Sequence, residues 1–191
     1  MKTTFYTGVG DKGISNTGKK QFAKDDPIFM LLGSLDECTS WLGLAKVTAS
    51  GDSKMKRIGN WLLALQEMMF IAQAEVATIA FDYGKYEDKI RKFPFIKENH
   101  THDCEEMIGK IDQELPMLRS FILPGGCELA AQCDIARTIA RKAERYAVIT
   151  TRTVKFSAEL LAFLNRLSSA LFALGRYANF LKGIAEEHPR Y

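Results

Sequence analysis

Proline is scarce in this chain: Pro27, Pro94, Pro116, Pro124 and Pro189 are the five in 191 residues. Long stretches are therefore free of the residue that breaks helices. Cysteine is scarcer still, and Cys38, Cys104, Cys127 and Cys133 form no C-x-x-C pair. That excludes a disulfide-stapled scaffold and predicts reduced thiols in a cytoplasmic protein. Neither sign of charge dominates. The net charge of +3 is too small for a broad nucleic-acid surface. No apolar run approaches the ~20 residues of a membrane span, and no apolar signal core stands at the start. Neither nucleic acid nor membrane is an expected partner. Glu-x-x-His pairs are missing as well, which removes the ferritin-like di-iron bundle from consideration.

What remains is ordinary globular composition, 47% apolar and 26% charged, enough to bury roughly 70% of the unfolded surface at this length. Residues 1–191 read as one domain. Helical periodicity runs between the prolines. Residues 27–48 open with Asp26 as cap and Pro27 in the first turn, and Leu31, Leu35, Leu42 and Ala45 share a side. Residues 53–81 carry the stripe Ile58, Leu62, Leu65, Met69, Ala72, Val76 and Ile79. Further helices are expected over 98–114, 127–150 and 154–185, the last lined by Leu160, Leu164, Leu167, Leu171, Leu174, Ala178 and Leu181. Residues 82–97 read as a surface connection. The fold class is all-α, a five-helix bundle preceded by a glycine-rich loop.

That loop, YTGVGDKGIS at 6–15, spells G-x-G-x-x-G. A dinucleotide fingerprint would follow a strand and open a helix within a parallel sheet. This chain offers no such sheet, and Gly18 spoils the helix start. A P-loop fails too, for want of G-x-x-x-x-G-K-[ST]. The physical content survives. Glycines let backbone N–H groups turn toward an anion, Thr7, Ser15, Asn16 and Thr17 add donors, and Lys12, Lys19, Lys20 and Lys24 add charge. The segment suits a polyphosphate; an unordered arm is the alternative.

Beyond the breaker Pro124-Gly125-Gly126, Arg137, Arg141 and Arg145 recur every four residues. Such a row repels itself by about a few tenths of a kcal/mol per pair. A carboxylate partner or an anionic ligand would compensate; a solvated face beside Glu128 and Glu144 is the other reading. Phe121, just before the breaker, would ordinarily be core. Asn165, early in the last helix, would ordinarily be exposed or bonded to backbone. His100-Thr101-His102-Asp103-Cys104-Glu105-Glu106 resembles a metal cluster but lacks a second ligand pair, and reads better as a helix start.

These segments, in this order, resemble the PduO-type ATP:cob(I)alamin adenosyltransferases, or corrinoid adenosyltransferases. The resemblance rests on TGVGDKGIS (7–15), Lys24-Asp25-Asp26-Pro27, Gly33-Ser34-Leu35-Asp36-Glu37, FILPGG (121–126), ARTIARKAER (136–145) and FLNRLSSALFALGRYAN (163–179). It implies a homotrimer with active sites at subunit interfaces. It implies ATP, with Mg²⁺, on Thr7, Gly8, Val9, Gly10, Asp11, Lys12, Ser15, Asn16, Lys24, Arg141, Lys142, Glu144, Arg145 and Asn165. Arg141, Phe121 and Asn165 carry over as the catalytic set, Phe121 against the lower face of the corrin. Asp36 would pair with Arg137 across the interface. Two positions depart from the pattern: Ser169, where the family often has Asp, and Asp134, where it often has His.

The implied reaction transfers the 5′-deoxyadenosyl group of ATP to cobalt of reduced cob(I)alamin, giving adenosylcobalamin and triphosphate. Cobalt(I) is itself the nucleophile, so the protein supplies placement and field. A reductase and a cobalamin-dependent acceptor enzyme would be partners. The departures keep a second class open, a non-catalytic ATP- or corrinoid-binding bundle acting as sensor or carrier.

Overall fold

The structure, a computed structural model, describes residues 5, 6, 8, 10–17, 20–80 and 94–190. A short antiparallel hairpin comes first, β1 (Ile14–Thr17) against β2 (Lys20–Ala23), with Ile14 opposite Ala23. Five helices follow among the described residues: α1 (Pro27–Ser50), α2 (Lys56–Ala80), α3 (Glu98–Asp112), α4 (Glu128–Thr150) and α5 (Ala158–Lys182). One 3₁₀ turn, Ser53–Met55, leads into α2. The expected helices are all present, with ends trimmed by a few residues. The hairpin is the element that periodicity passes over, because four-residue strands leave no stripe to read. Of the expected connection 82–97, the part before residue 94 lies outside the described residues.

Local chemistry accounts for the helix starts. Asp26 caps α1, its Oδ1 accepting from Ile28 N at 3.0 Å, and Pro27 needs no such partner. Ser157 caps α5 by accepting from Leu160 N at 3.1 Å. At α3, Lys97 N donates to His100 Nδ1 at 3.0 Å, so one ring of the histidine-rich stretch serves the helix start.

The helices pack in the spatial order α2–α1–α4–α5–α3, and α2 also touches α5. Small residues let α4 approach closely: Ala136, Ala140, Ala143 and Ala147 are fully buried against Leu35, Cys38, Leu42 and Ala45 of α1. Each buried leucine contributes about 1.5–3 kcal/mol relative to exposure. Ser53–Ile79 and Ala158–Lys182 are long and apolar enough to cross a membrane by length and composition alone. Their apolar stripes, from Ile58 to Val76 and from Leu160 to Ala178, form this bundle's core.

One carboxylate is wholly enclosed. Glu75 of α2 accepts from Ile96 N at 2.8 Å and from Ser157 Oγ at 2.6 Å. Both oxygens are thus satisfied, as burial demands, and α2 is joined to the chain entering α3 and to the α5 cap.

Candidate active site

The glycine loop is a folded turn. Asp11 N donates to Gly8 O at 3.3 Å and Gly13 N to Gly10 O at 3.2 Å, with Gly8 and Gly13 at φ +72° and +74°. Lys24 follows β2 and returns to the loop, its N donating to Gly13 O at 2.9 Å. Its ammonium lies over Gly10, where an added Cβ would stand 2.8 Å from Nζ. Asp11 and Lys12 are exposed, Ser15 is half-buried, and Asn16 belongs to β1. Thr7 and Val9 lie outside the described residues. The hairpin meets the bundle through Phe22, edge-on to Phe29 of α1 at 6.1 Å. Among the described residues, no hydrogen bond or ion pair joins Gly10–Ser15 or Lys24 to α4.

The arginine row divides into paired and unpaired members. Arg137 Nε donates to Asp134 Oδ1 at 3.2 Å, and its guanidinium carbon stands 6.0 Å from the centre of the Phe172 ring. Lys142 is paired with Glu37 of α1 at 2.5 Å. Arg145 donates to the backbone oxygen of Arg141 at 3.1 Å. Among the described residues Arg141 has neither an ion pair nor a side-chain hydrogen bond, and Arg145 has no ion pair. Both are exposed. Asn165 is exposed and bonded to side chains rather than backbone. Its Nδ2 donates to Glu144 Oε1 at 2.7 Å, and its Oδ1 accepts from Arg166 Nη1 at 3.0 Å. Arg166 in turn donates to Glu105 of α3 at 2.7 Å.

A cleft of about 450 Å³ opens between α3, α4 and α5, lined by Asp112, Leu115, Arg137, Arg141, Ser169 and Phe172, among others. It combines apolar side chains with three arginines, Arg137, Arg141 and Arg176, and one carboxylate, Asp112. Cys38 of α1 and Cys133 of α4 are buried in the core. Their thiols are pushed up to about 12, by burial foremost and then by the charges of Glu37 and Asp134 respectively. Neither offers a thiolate to the cleft.

Phe121 is not core: its residue is 78% exposed. The backbone around it explains why. Leu123 N donates to Glu187 O at 2.8 Å, and His188 Nδ1 lies 2.9 Å from Phe121 O and 3.0 Å from Ser120 Oγ. A carbonyl only accepts, so Nδ1 carries the proton. The segment is thus held by the C-terminal tail with the ring turned outward. Arg176, 8% exposed, secures that tail by donating to Glu186 at 2.5 and 3.2 Å and to Pro116 O at 3.1 Å. The Pro-Gly-Gly turn is held by Asn179, which donates to Gly125 O at 2.8 Å and accepts from Cys127 N at 2.8 Å. Gly126 sits at φ +98°, and a Cβ there would overlap the Asn179 amide.

A family model for cobalamin adenosyltransferase matches residues 5–178. The chain belongs to the cobalamin adenosyltransferase family. A corrinoid adenosyltransferase of Bacillus subtilis is 33% identical over 181 residues, covering 95% of this chain and 89% of the relative. The human corrinoid adenosyltransferase MMAB is 32% identical over 186 residues, covering 95% and 71%. Among solved structures, a phenylalanine-to-alanine variant of a PduO-type ATP:corrinoid adenosyltransferase from Lactobacillus reuteri, complexed with cobalamin and ATP, superposes with a TM-score of 0.87 at 35% identity. It covers 98% of this chain and 100% of that one. An arginine-to-lysine variant from the same organism, complexed with ATP, gives 0.85 at 35% identity over 97% and 100%.

Within this adenosyltransferase fold, one chain brings together Arg137, Arg141, Arg145, Glu144 and Asn165, and separately the glycine loop with Lys24. Asp36 is exposed on α1 and does not meet Arg137 in the same chain. Sequence reasoning gave no positioning role to Arg166, Glu105, Arg176, Asn179 or His188. Each acts by holding another group in place, through partners 10 to 68 positions away or, for Arg166 and Asn165, immediately adjacent. No local pattern announces such pairings.

Proposed function

We propose that this chain is an ATP:corrinoid adenosyltransferase, moving the 5′-deoxyadenosyl group of ATP onto cobalt of reduced cob(I)alamin. The cobalt(I) electron pair forms the bond to C5′, the C5′–O bond breaks, and triphosphate leaves with that electron pair. The observation that carries the reading is Arg141: an exposed guanidinium lining a partly apolar cleft, with no ion pair or side-chain hydrogen bond among the described residues. A departing polyphosphate supplies the missing charge.

The chain's own residues have two tasks. Arg141 and Arg145, with Lys12 and Lys24 of the glycine loop, stabilise charge as it gathers on the triphosphate, the kind of preorganised field that dominates such steps. Glu144 and Asn165, locked to each other, fix the nucleoside end; alignment of this sort is worth roughly 7–11 kcal/mol. Phe121 presents an exposed ring to the corrin, excluding water and the base ligand from cobalt. Mg²⁺ would supply further charge on the phosphates. The described residues hold no acidic cluster fit to bind it alone, so it would arrive with the nucleotide.

Among the described residues no hydrogen bond or ion pair joins Gly10–Ser15 or Lys24 to the arginine row, which supports an assembly in which the loop of one copy meets α4 of another. A homotrimer with shared sites is the expected form, Asp36 of each copy reaching the neighbour's Arg137. Cytoplasmic residence, a reductase and a cobalamin-dependent acceptor belong to the same reading.

The deciding experiment mixes the protein anaerobically with ATP, Mg²⁺ and chemically reduced cobalamin. Formation of a light-sensitive alkylcobalamin spectrum, with stoichiometric triphosphate, is expected. Binding of both ligands without that product would leave a sensor or carrier instead.

A further inference from the structure

The Asp134 carboxylate is in double use. Oδ1 accepts from Arg137 Nε at 3.2 Å, and Oδ2 accepts from Gly125 N at 3.0 Å. Resting on the adenosyltransferase reading, we propose that Asp134 is a positioning residue for the reaction. One side chain holds both the cleft-wall arginine and the Pro-Gly-Gly turn that follows Phe121, so the two keep a fixed relation.

The geometry favours a role over an incidental contact. The Asp134 side chain is only 18% exposed, so both bonds are charge-assisted and largely shielded from water. Gly125 is gripped by both of its polar groups, its N–H by Asp134 of α4 and its carbonyl by Asn179 of α5. Arg137 is likewise held from both helices, by Asp134 on its own and by the Phe172 ring on α5. Removing the carboxylate frees one end of each.

The two jobs are separable. An asparagine at 134 keeps one oxygen for the Gly125 N–H, but its amide then points hydrogens at Arg137, which only donates. Asp134→Asn therefore loses the arginine and keeps the turn, whereas Asp134→Ala loses both. Ser169 lines the same cleft as Arg137 and lies three residues before Phe172, on the same face of α5. A carboxylate placed there would share the cleft with Arg137, away from the Gly125 N–H that Asp134 holds.

The test compares the full-length wild type with Asp134→Ala, Asp134→Asn and the double variant Asp134→Asn/Ser169→Asp. Amide hydrogen exchange across residues 121–127 is read beside KM for cob(I)alamin and KM for ATP. In Asp134→Ala, exchange at Gly125 and KM for cob(I)alamin each rise about tenfold, the worth of one hydrogen bond to a charged group, while KM for ATP holds. Asp134→Asn keeps Gly125 protected with a smaller rise in corrinoid KM, and the double variant returns that KM to the wild-type value. Wild-type protection of Gly125 in Asp134→Ala, an unchanged corrinoid KM, or a double variant no better than Asp134→Asn would each overturn the assignment. Should Asp134→Ala not fold, the asparagine pair decides alone. A wild type that forms no alkylcobalamin refutes the adenosyltransferase reading, and the positioning of a catalytic step with it; hydrogen exchange then shows only whether Asp134 holds the turn.

Discussion

Replacing Arg141 by alanine should leave the protein as stable as before and nearly inactive. The stability side follows from its surroundings. Arg141 is exposed, and among the described residues its side chain has no partner to lose. The bond it does take part in, Arg145 to the Arg141 carbonyl, uses backbone that alanine retains. Alanine is at least as good a helix former, and two like-charged neighbours four residues away, Arg137 and Arg145, are relieved by about a few tenths of a kcal/mol each. For a chain of this size that is a shift in Tm of at most about 2 °C, upward if anything. The catalytic side is an order larger in free energy. Loss of one donor aimed at developing charge costs about 10²–10³-fold, or about 2.7–4 kcal/mol. Thermal unfolding and anaerobic kcat/KM for ATP, measured on one preparation, decide the matter. Turnover at the wild-type level would refute the assignment of Arg141 to the triphosphate. A Tm lowered by many degrees would show that the guanidinium has a structural partner instead.

Three other outcomes are expected. Glu75→Gln leaves one of two buried donors without an acceptor, so unfolding should cost about 1–3 kcal/mol less; an unchanged Tm would show that water reaches the site. In native protein at roughly pH 8, a maleimide should label Cys127 first, since Cys38, Cys104 and Cys133 are buried thiols pushed up to about 12, and all four only after unfolding; rapid native labelling of all four would contradict the packing. Glu114 is held below its usual 4.5 by the Tyr177 hydroxyl and then by Arg57. A carboxylate so lowered adds stability that is complete above the ordinary value and is lost as pH falls through the depressed one. The stability gap between wild type and Glu114→Gln should therefore persist down to pH 4.5 and close below it; a gap independent of pH would refute that role.

Much of the fold was legible because helices announce themselves. The stripes of α1, α2 and α5 are long, and nearly every residue assigned to them is buried: Leu31, Leu35, Leu42 and Ala45, then Ile58 to Val76, then Leu160 to Ala178. Asp26-Pro27 marked a helix start through chemistry confined to two residues. The hairpin escaped because Ile14–Thr17 and Lys20–Ala23 are too short to show alternation. For Phe121 only the ordinary expectation of burial fails, for a different reason. Composition places an aromatic beside Ile122 and Leu123 in the core, yet backbone bonds from Glu187 and His188, more than sixty residues away, turn this one outward.

The candidate site divides along the same physical line. The groups proposed to meet a ligand were readable, because charge repeating at Arg137, Arg141 and Arg145 and glycines crowded at 8, 10 and 13 stand out in the sequence. The groups that hold them were not readable, since Glu105, Asn179 and Glu186 look like any surface polar residue until the fold delivers them to Arg166, Gly125 and Arg176. Asp134 stands between the two classes. Its identity was noticeable as a departure, but its consequence was not, because only the folded chain puts Gly125 and Arg137 on opposite oxygens of one carboxylate. An arginine already satisfied by Asp134 has less to gain from Asp36 of a neighbouring copy. If the copies do meet through that pair, Asp36→Ala should weaken assembly less in this chain than in an Asp134→Asn background, a difference that sedimentation at two protein concentrations would resolve.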